Sequence, residues 1–387
     1  MTLSPSKATN PIPPTTEIIT YVTMFKSLLE LIVVTLSAPY LSITGAKKSG
    51  ILNQSTSNCY EHIANAGKLV INGKIYLEEF FINLEATMKI SDGTLLKRTG
   101  KDIYAAKILK NHSKGFYGIH QDLLLTVKRY KGKNFITAFK IINHKKRHLT
   151  KPDELVKAMK KGIIKAGEWL VIDGGLKSRK VLRQGRISAV KVVTRFNSNF
   201  VIKRFGKKYR KDDILRDIKP IRRTINDKIY TIYQFKGCIW HGTLGNLFLV
   251  RADGYENYLP LFTTSLDSKP ETIIRKYEER FSIEVTIKVL KSYLGIESNY
   301  FETKESNYGF IFLRCLVYNF VQYLRLYIPD KSFKDTLDGL SAYLIWKRPP
   351  KAAALMEDAL KEAYTNSGCD SVNEIDDCLI EAMLAFD

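Results

Sequence analysis

The sequence predicts an α/β layer fold, a mixed sheet with helices packed on its faces. Three observations lead there: strand-like runs stand on either side of a well-capped helix, a β-rich stretch follows, and long helical patterns come after it.

Taken in order, residues 1–14 are polar and Pro-rich and read as a loose tail, unlike a signal peptide. Helical signals run from Thr15 to about Ala66, with Thr16 and Glu17 as a start and Pro39 as an interruption. The apolar stretch from Met24 to Ile43 carries Lys26, Glu30 and Pro39, which argues for a buried amphipathic helix and against a membrane span. Strand-like runs follow from Lys68 to Ile90. A β-meander comes next, DLLLTVKRY and FITAFKII around the turn KGKN. The helix KPDELVKAMKKGIIKAG has Pro152 in its first turn, Asp153 and Glu154 at its positive end, and Gly167 as a stop. The run WLVIDGG reads as a short buried strand ending at Asp173, where Gly174 and Gly175 allow a sharp turn. Alternating strands fill 181–265, with the basic loops GKKYRKDD and KPIRRTINDK among them. One long helix is expected from Pro270 to Gly295 and another from Ser306 to Leu326.

The charge balance narrows the partner. Lys and Arg number 61 against 39 Asp and Glu, a net +22, which suits a polyanion: DNA, RNA or an anionic membrane. The five cysteines, Cys59, Cys238, Cys315, Cys369 and Cys378, form no CxxC pair, so neither a disulfide framework nor a zinc site is written here. His144 and His148 have a ligand-like spacing, but their run is strongly cationic and no metal role is expected. The last 37 residues reverse the charge, with 2 Lys against 9 acidic residues.

The most specific feature is YEERFSIEVTIKVLK. On one continuous helix Tyr277, Arg280, Glu284 and Lys291 fall within about 60° of one another. Ile283, Ile287, Leu290 and Leu294 form an adjoining apolar stripe. Taken alone this is equally an ordinary amphipathic helix with an Arg280–Glu284 ion pair. Upstream, Asp92 lies in ISDGTLLKRTGK and Asp173 in WLVIDGGLKSRKVL. Each, singly, is as readily a turn residue.

Together these segments resemble the insertion-sequence transposases whose signature is Y-(2)-R-(3)-E-(6)-K. The resemblance covers about 85–325 and implies an RNase H-like catalytic core with a β-rich insertion. It divides the chain into a mainly helical region for terminal-repeat DNA, by family analogy (1–85), the first part of the core (86–180), the insertion (181–268) and the second part of the core (269–330). The acidic helical region 331–387, with LMEDALKEAY and IDDCLIEAMLAF, is a candidate for dimerisation or for covering a basic surface of the same chain. The resemblance implies two aspartates at strand ends, Asp92 and Asp173, and Glu284 on the helix, as catalytic carboxylates binding two Mg²⁺ ions, with Mn²⁺ able to replace them. Arg280, Tyr277 and Lys291 would hold phosphates of the element's end. In the family a flipped base stacks on an aromatic residue of the insertion, and Trp240 in KGCIWHGTL is the candidate, unless it only packs the sheet. Lys207, Lys208 and Arg210 would contact phosphates, or form a solvated basic turn. Gly174 departs from the family's usual Arg or Ser after the second Asp. The implied partners are double-stranded DNA, as terminal inverted repeats and target, and a second copy of the chain in a synaptic homodimer. No membrane is implied, and the setting is the prokaryotic cytoplasm at the nucleoid. Competing readings are a nuclease without strand transfer, an inactive transposase-derived DNA-binding protein, and a basic RNA-binding scaffold.

Overall fold

The computed structural model describes residues 55–78, 87–100, 102–111, 115–145 and 149–347, with Leu31, Ile32, Thr35 and Lys47. In chain order these form α1 (Thr56–Ile71), β1 (Met88–Lys97), β2 (Lys107–Lys110), β3 (Tyr117–Tyr130), β4 (Lys133–Ile142), α2 (Lys151–Lys160), β5 (Trp169–Ile172), α3 (Arg179–Ile187) and β6 (Lys191–Arg195). Then come β7 (Ile202–Arg204), β8 (Lys207–Tyr209), α4 (Lys211–Asp217), β9 (Ile221–Ile225), β10 (Lys228–Trp240), β11 (Thr243–Ala252) and β12 (Leu259–Thr263). Four helices follow: α5 (Pro270–Glu278), α6 (Phe281–Ser292), α7 (Lys304–Leu324) and α8 (Phe333–Lys347). The acidic stretch 348–387, a candidate for dimerisation or for covering a basic surface, His148, and nearly all of 1–54 lie outside the described residues.

The strands make one mixed sheet. Its core runs β4-β3-β1-β5-β6, with β3 antiparallel to both β1 and β4, and with β1, β5 and β6 parallel. Three antiparallel strands followed by two parallel ones is the RNase H-like arrangement, as expected. Beyond β6 the sheet continues antiparallel through β12, β11 and β10 to β7 and β8. Every residue of β5 is buried, as an apolar run between two parallel neighbours must be. Lys131 and Gly132, both at positive φ, close the β3–β4 hairpin where the KGKN turn is expected.

Helices cover both faces. On one, α7 packs with Ile90, Leu123, Leu125 and Val127, and on the other α2 and α3 pack with Leu124, Leu170 and Ile172. Asn319 of α7 accepts from the Ile136 amide at 2.7 Å and donates to its carbonyl at 2.8 Å, at the irregularity in the β3–β4 ladder. A polar side chain thus replaces ladder bonds that the bulge removes.

Several elements differ from expectation; α3 and α4 are helices within or overlapping the stretch 181–265 expected as strands and loops. The run from Lys68 to Ile71 is the last turn of α1, not a strand. α1 buries Cys59, Ile63, Ala66 and Gly67. At Gly67 and Gly309 it approaches α7 so closely that a Cβ on either would meet backbone at 1.8 Å. That packing overrides the β propensity of KLVI. Helix α2 ends at Lys160, short of Gly167, because Gly162 (φ 71) takes the left-handed cap first. Its amide bonds to the Met159 carbonyl while the Ile163 amide bonds to that of Ala158, a Schellman stop.

His144 bonds to Asp122 at 3.1 Å, and Lys151 pairs with the other oxygen of that carboxylate at 2.7 Å. Cys59, Cys238 and Cys315 are buried and unbonded to one another. Among the described residues no helix is long and apolar enough to cross a membrane.

Candidate active site

Strand register assembles the first two carboxylates. β1 and β5 pair in parallel from Met88↔Trp169 to Ser91↔Ile172, so the next residue on each chain is an aspartate, Asp92 and Asp173. Asp173 leaves the sheet there, at a strand end as expected. Asp92 does not: β1 continues to Lys97, with Asp92 paired to Leu125. The reason is that β1 keeps its antiparallel partner β3 after β5 has turned away. Within that turn the Gly175 amide bonds to Asp173 Oδ2 at 3.1 Å, and the Leu176 amide to the Asp173 carbonyl at 3.0 Å.

Gly174 also has a physical role. A Cβ there would lie 3.1 Å from Arg195 Cγ and 3.2 Å from the Arg195 carbonyl oxygen. The room is taken by Arg195, whose Nε stands 3.2 Å from Asp173 Oδ1. Sequence reasoning missed Arg195. The β5–β6 ladder ends at Ile172↔Thr194, so one further step brings Asp173 beside Arg195, a signal readable only once the register is known.

The helix that brings the glutamate is not continuous. The expected helix from Pro270 to Gly295 is two, α5 and α6, joined through Glu279 and Arg280. There the amides of Arg280, Ser282 and Ile283 bond three residues back, to Tyr277, Glu279 and Arg280. Such a tightened turn needs neither glycine nor proline, so the sequence carries no mark of it. A single helical wheel therefore does not apply across Tyr277 and Lys291.

The break directs the Arg280 guanidinium into the sheet end. Nη1 lies 3.4 Å from Asp92 Oδ2 and 3.8 Å from Asp173 Oδ1, and Nη2 lies 3.0 Å from Glu284 Oε1. Asp92, Asp173, Glu284 and Arg280 are thus gathered at one place. The Arg280 side chain is 6% exposed and that of Glu284 53%, so the glutamate faces solvent. Tyr277 is buried beneath the guanidinium, its ring 5.6 Å away. Exposed Phe281 covers the guanidinium at 4.6 Å. Lys291 lies further along α6, where Nζ donates to the Leu95 carbonyl at 2.7 Å and stands 3.4 Å from Glu297.

Burial raises the pKa of Asp92, and the charges of Asp173 and Glu284 add to the rise, against the Gly93 amide and Arg280. Burial likewise pushes the Tyr277 phenol up to about 12. Among the described residues no three His, Cys, Asp or Glu side chains stand close enough to hold a metal ion as they are. The donor set is nevertheless all oxygen, the kind a hard divalent cation takes. Asp173 Oδ1 is buried and accepts no hydrogen bond, its two arginines being ion-pair contacts alone.

Trp240 and the basic residues form a second group. A cavity of about 640 Å³ is lined by Lys177, Phe196, Phe200, Lys203, Trp240 and His241. Trp240 ends β10, its ring 4.9 Å from Phe196 and 4.3 Å from His241. Phe196 follows Arg195, and Lys177 lies four residues past Asp173, so cavity and carboxylates share two connecting segments. Lys207 and Lys208 are exposed on β8, and exposed Arg210 caps α4.

A family model described as "Transposase DDE domain" matches residues 86–320, well over half of the chain. The chain belongs to the DDE transposase family. No curated protein matches it. Among solved structures, the NurA nuclease from Sulfolobus solfataricus is 13% identical over 63% of this chain and 96% of that chain, with a TM-score of 0.27. At that score nothing is transferred from it.

Proposed function

We propose that this DDE transposase cleaves the ends of its insertion sequence and joins them to target DNA through Asp92, Asp173 and Glu284. One observation carries the reading: strand register and a broken helix bring these acidic residues to a single guanidinium, in a chain of net charge +22.

The all-oxygen donor set supports a site for divalent cations, as does the raised pKa of Asp92, which burial causes and the charges of Asp173 and Glu284 increase. Asp92, Asp173 and Glu284 would hold two Mg²⁺ ions. When bound, such ions activate an attacking oxygen and stabilise a leaving one at phosphorus. The chain's own residues do the rest. Arg280, with its two Nη groups at the sheet end, is suited to grip a phosphate bidentately once the carboxylates are otherwise neutralised. The rings of Tyr277 and Phe281 both pack against it and help fix its direction. Lys291 braces β1 just past Asp92 through the Leu95 carbonyl. The Trp240 cavity, rimmed by Lys177 and Lys203, suits a base turned out of the helix, for which stacking contributes about 1–3 kcal/mol.

End-labelled duplex carrying the element's terminus, run on a denaturing gel, tests the reading. Wild type should nick and then close a hairpin, seen as a product of about twice the strand length. Trp240→Ala should nick normally and close slowly. Hairpins closed at the wild-type rate would leave Trp240 as sheet packing, and nicking with neither closure nor joining would make the protein a nuclease without strand transfer.

A further inference from the structure

Strands β7 and β8 form a hairpin whose sequence works against its own fold in three ways. Its two-residue loop is Phe205-Gly206, at φ 48° and 77°. That type of turn is ordinarily built from Asn-Gly or Asp-Gly, and a bulky aromatic in the left-handed region is an outlier. Phe205 is also 93% exposed, more than any other large apolar residue described. Finally, the ladder sets Lys203 opposite Lys208 and Arg204 opposite Lys207, like charges face to face, which destabilises a strand pair. The Phe205 ring meets the Arg204 guanidinium at 5.1 Å, and that guanidinium also meets the Phe235 ring at 5.2 Å.

We propose that Phe205 is a wedge that enters between stacked base pairs of duplex DNA while Lys203, Lys207 and Lys208 hold the flanking phosphates. A base-pair step presents what the hairpin lacks, an apolar slot between two rows of anions. The placement fits. Lys203 pairs with Ile239, next to Trp240, and Val201 and Lys203 line the Trp240 cavity. The hairpin therefore grows out of the cavity wall, and its tip lies two residues beyond Lys203, about 7 Å. DNA reaching that cavity passes the tip. A wedge that unstacks and kinks one step helps a neighbouring base leave the helix. The inference rests on the DNA-processing function proposed above and adds the residue that deforms the duplex.

The test uses the full chain in EDTA, so that no strand is cut. The probe is a short mixed-sequence duplex with 2-aminopurine at a central TG step and a fluorophore pair on its ends. Wild type should raise the 2-aminopurine fluorescence and shorten the end-to-end distance. Phe205→Asn suits the turn, so its melting temperature should hold or rise, yet both signals should fall to baseline and affinity drop about tenfold. Phe205→Trp should keep both signals. Lys207→Ala combined with Lys208→Ala should lower affinity and the salt slope while leaving the bend at saturation.

A wild type that binds the duplex without unstacking it overturns the wedge, as does a Phe205→Asn variant that bends DNA normally. Phe205→Asn that changes sedimentation but not DNA geometry overturns it too, assigning the tip to a second copy of the chain. A wild type that nicks DNA in Mg²⁺ yet never unstacks it removes the wedge alone. One that binds no duplex removes the transposase reading as well.

Discussion

Asp92 and Asp173 are held by backbone, Glu284 by a side chain. The two aspartates stand one step past a parallel ladder, with Ile90, Val171 and Ile172 wholly buried beneath them. Asp92 cannot shift without breaking the β1–β3 ladder, and Asp173 is fixed by the turn bonds to the Gly175 and Leu176 amides. Glu284 sits in the first turn of a helix that begins after a break, half exposed, and tied to the aspartates through Arg280. The difference teaches that one half of the site is rigid by construction and the other is adjustable, the division expected where a divalent cation or a DNA phosphate must be admitted before the chemistry.

The largest effects separate these halves. Asp173→Asn and Asp92→Glu should each lower Mg²⁺-dependent nicking by about a thousandfold or more, because a strand-fixed carboxylate cannot follow a change of charge or length. Glu284→Gln should be as damaging, but Glu284→Asp less so, about a hundredfold, since this half-exposed side chain has room to change rotamer. Single-turnover rates on end-labelled duplex measure all four. Equal losses for Asp92→Glu and Glu284→Asp would remove the distinction between rigid and adjustable halves.

Next in size is the cation between them. Arg280→Ala should lower the salt slope of binding to the element's end by about one unit. Lys291→Ala should instead cost about 1 kcal/mol of stability, through the lost bond to Leu95, with little change in slope. Binding titrations across salt, with melting curves, compare the two. A one-unit drop for Lys291→Ala would return it to the phosphate contacts.

How much of this was legible in the sequence follows the same division. Asp173 at the end of WLVI, the hairpin at Lys131–Gly132 and the overall α/β order all rest on local patterns, and all were readable. Arg195 beside Asp173, and Asp92 in mid-strand, depend on which strand pairs with which, a long-range choice that alternation does not encode. The break before Arg280 left no glycine or proline, so the four signature residues read as one stripe although they lie on two helices. The end of α1 was misread because its contact with α7 is decided more than two hundred residues away, where Gly67 meets Gly309.

Smaller effects follow from that register. Gly174→Ser puts a Cβ against Arg195 and should slow nicking a few-fold while costing about 1 kcal/mol of stability. Asp92→Asn should stabilise the metal-free protein at neutral pH, since burial makes the charge costly there. The sign follows from linkage. A folded-state pKa above the ordinary 3.8 means that the folded form holds the proton longer, so wild type loses stability as pH rises through the shifted value. The advantage of asparagine should therefore be full above that value and vanish below 3.8, where both states are protonated. Melting curves in EDTA across pH measure it, and a pH-independent gain would assign it to packing.

The most direct test of the site is a metal-specificity swap at one of its two backbone-held aspartates. Asp173→Cys replaces a hard oxygen with a thiolate, which binds Mg²⁺ poorly and softer divalent ions well. Nicking of end-labelled duplex by this variant should be lost in Mg²⁺ and recovered in Mn²⁺ or Cd²⁺, while wild type works in Mg²⁺. Wild-type activity of Asp173→Cys in Mg²⁺ would contradict the claim that this carboxylate holds a catalytic metal ion.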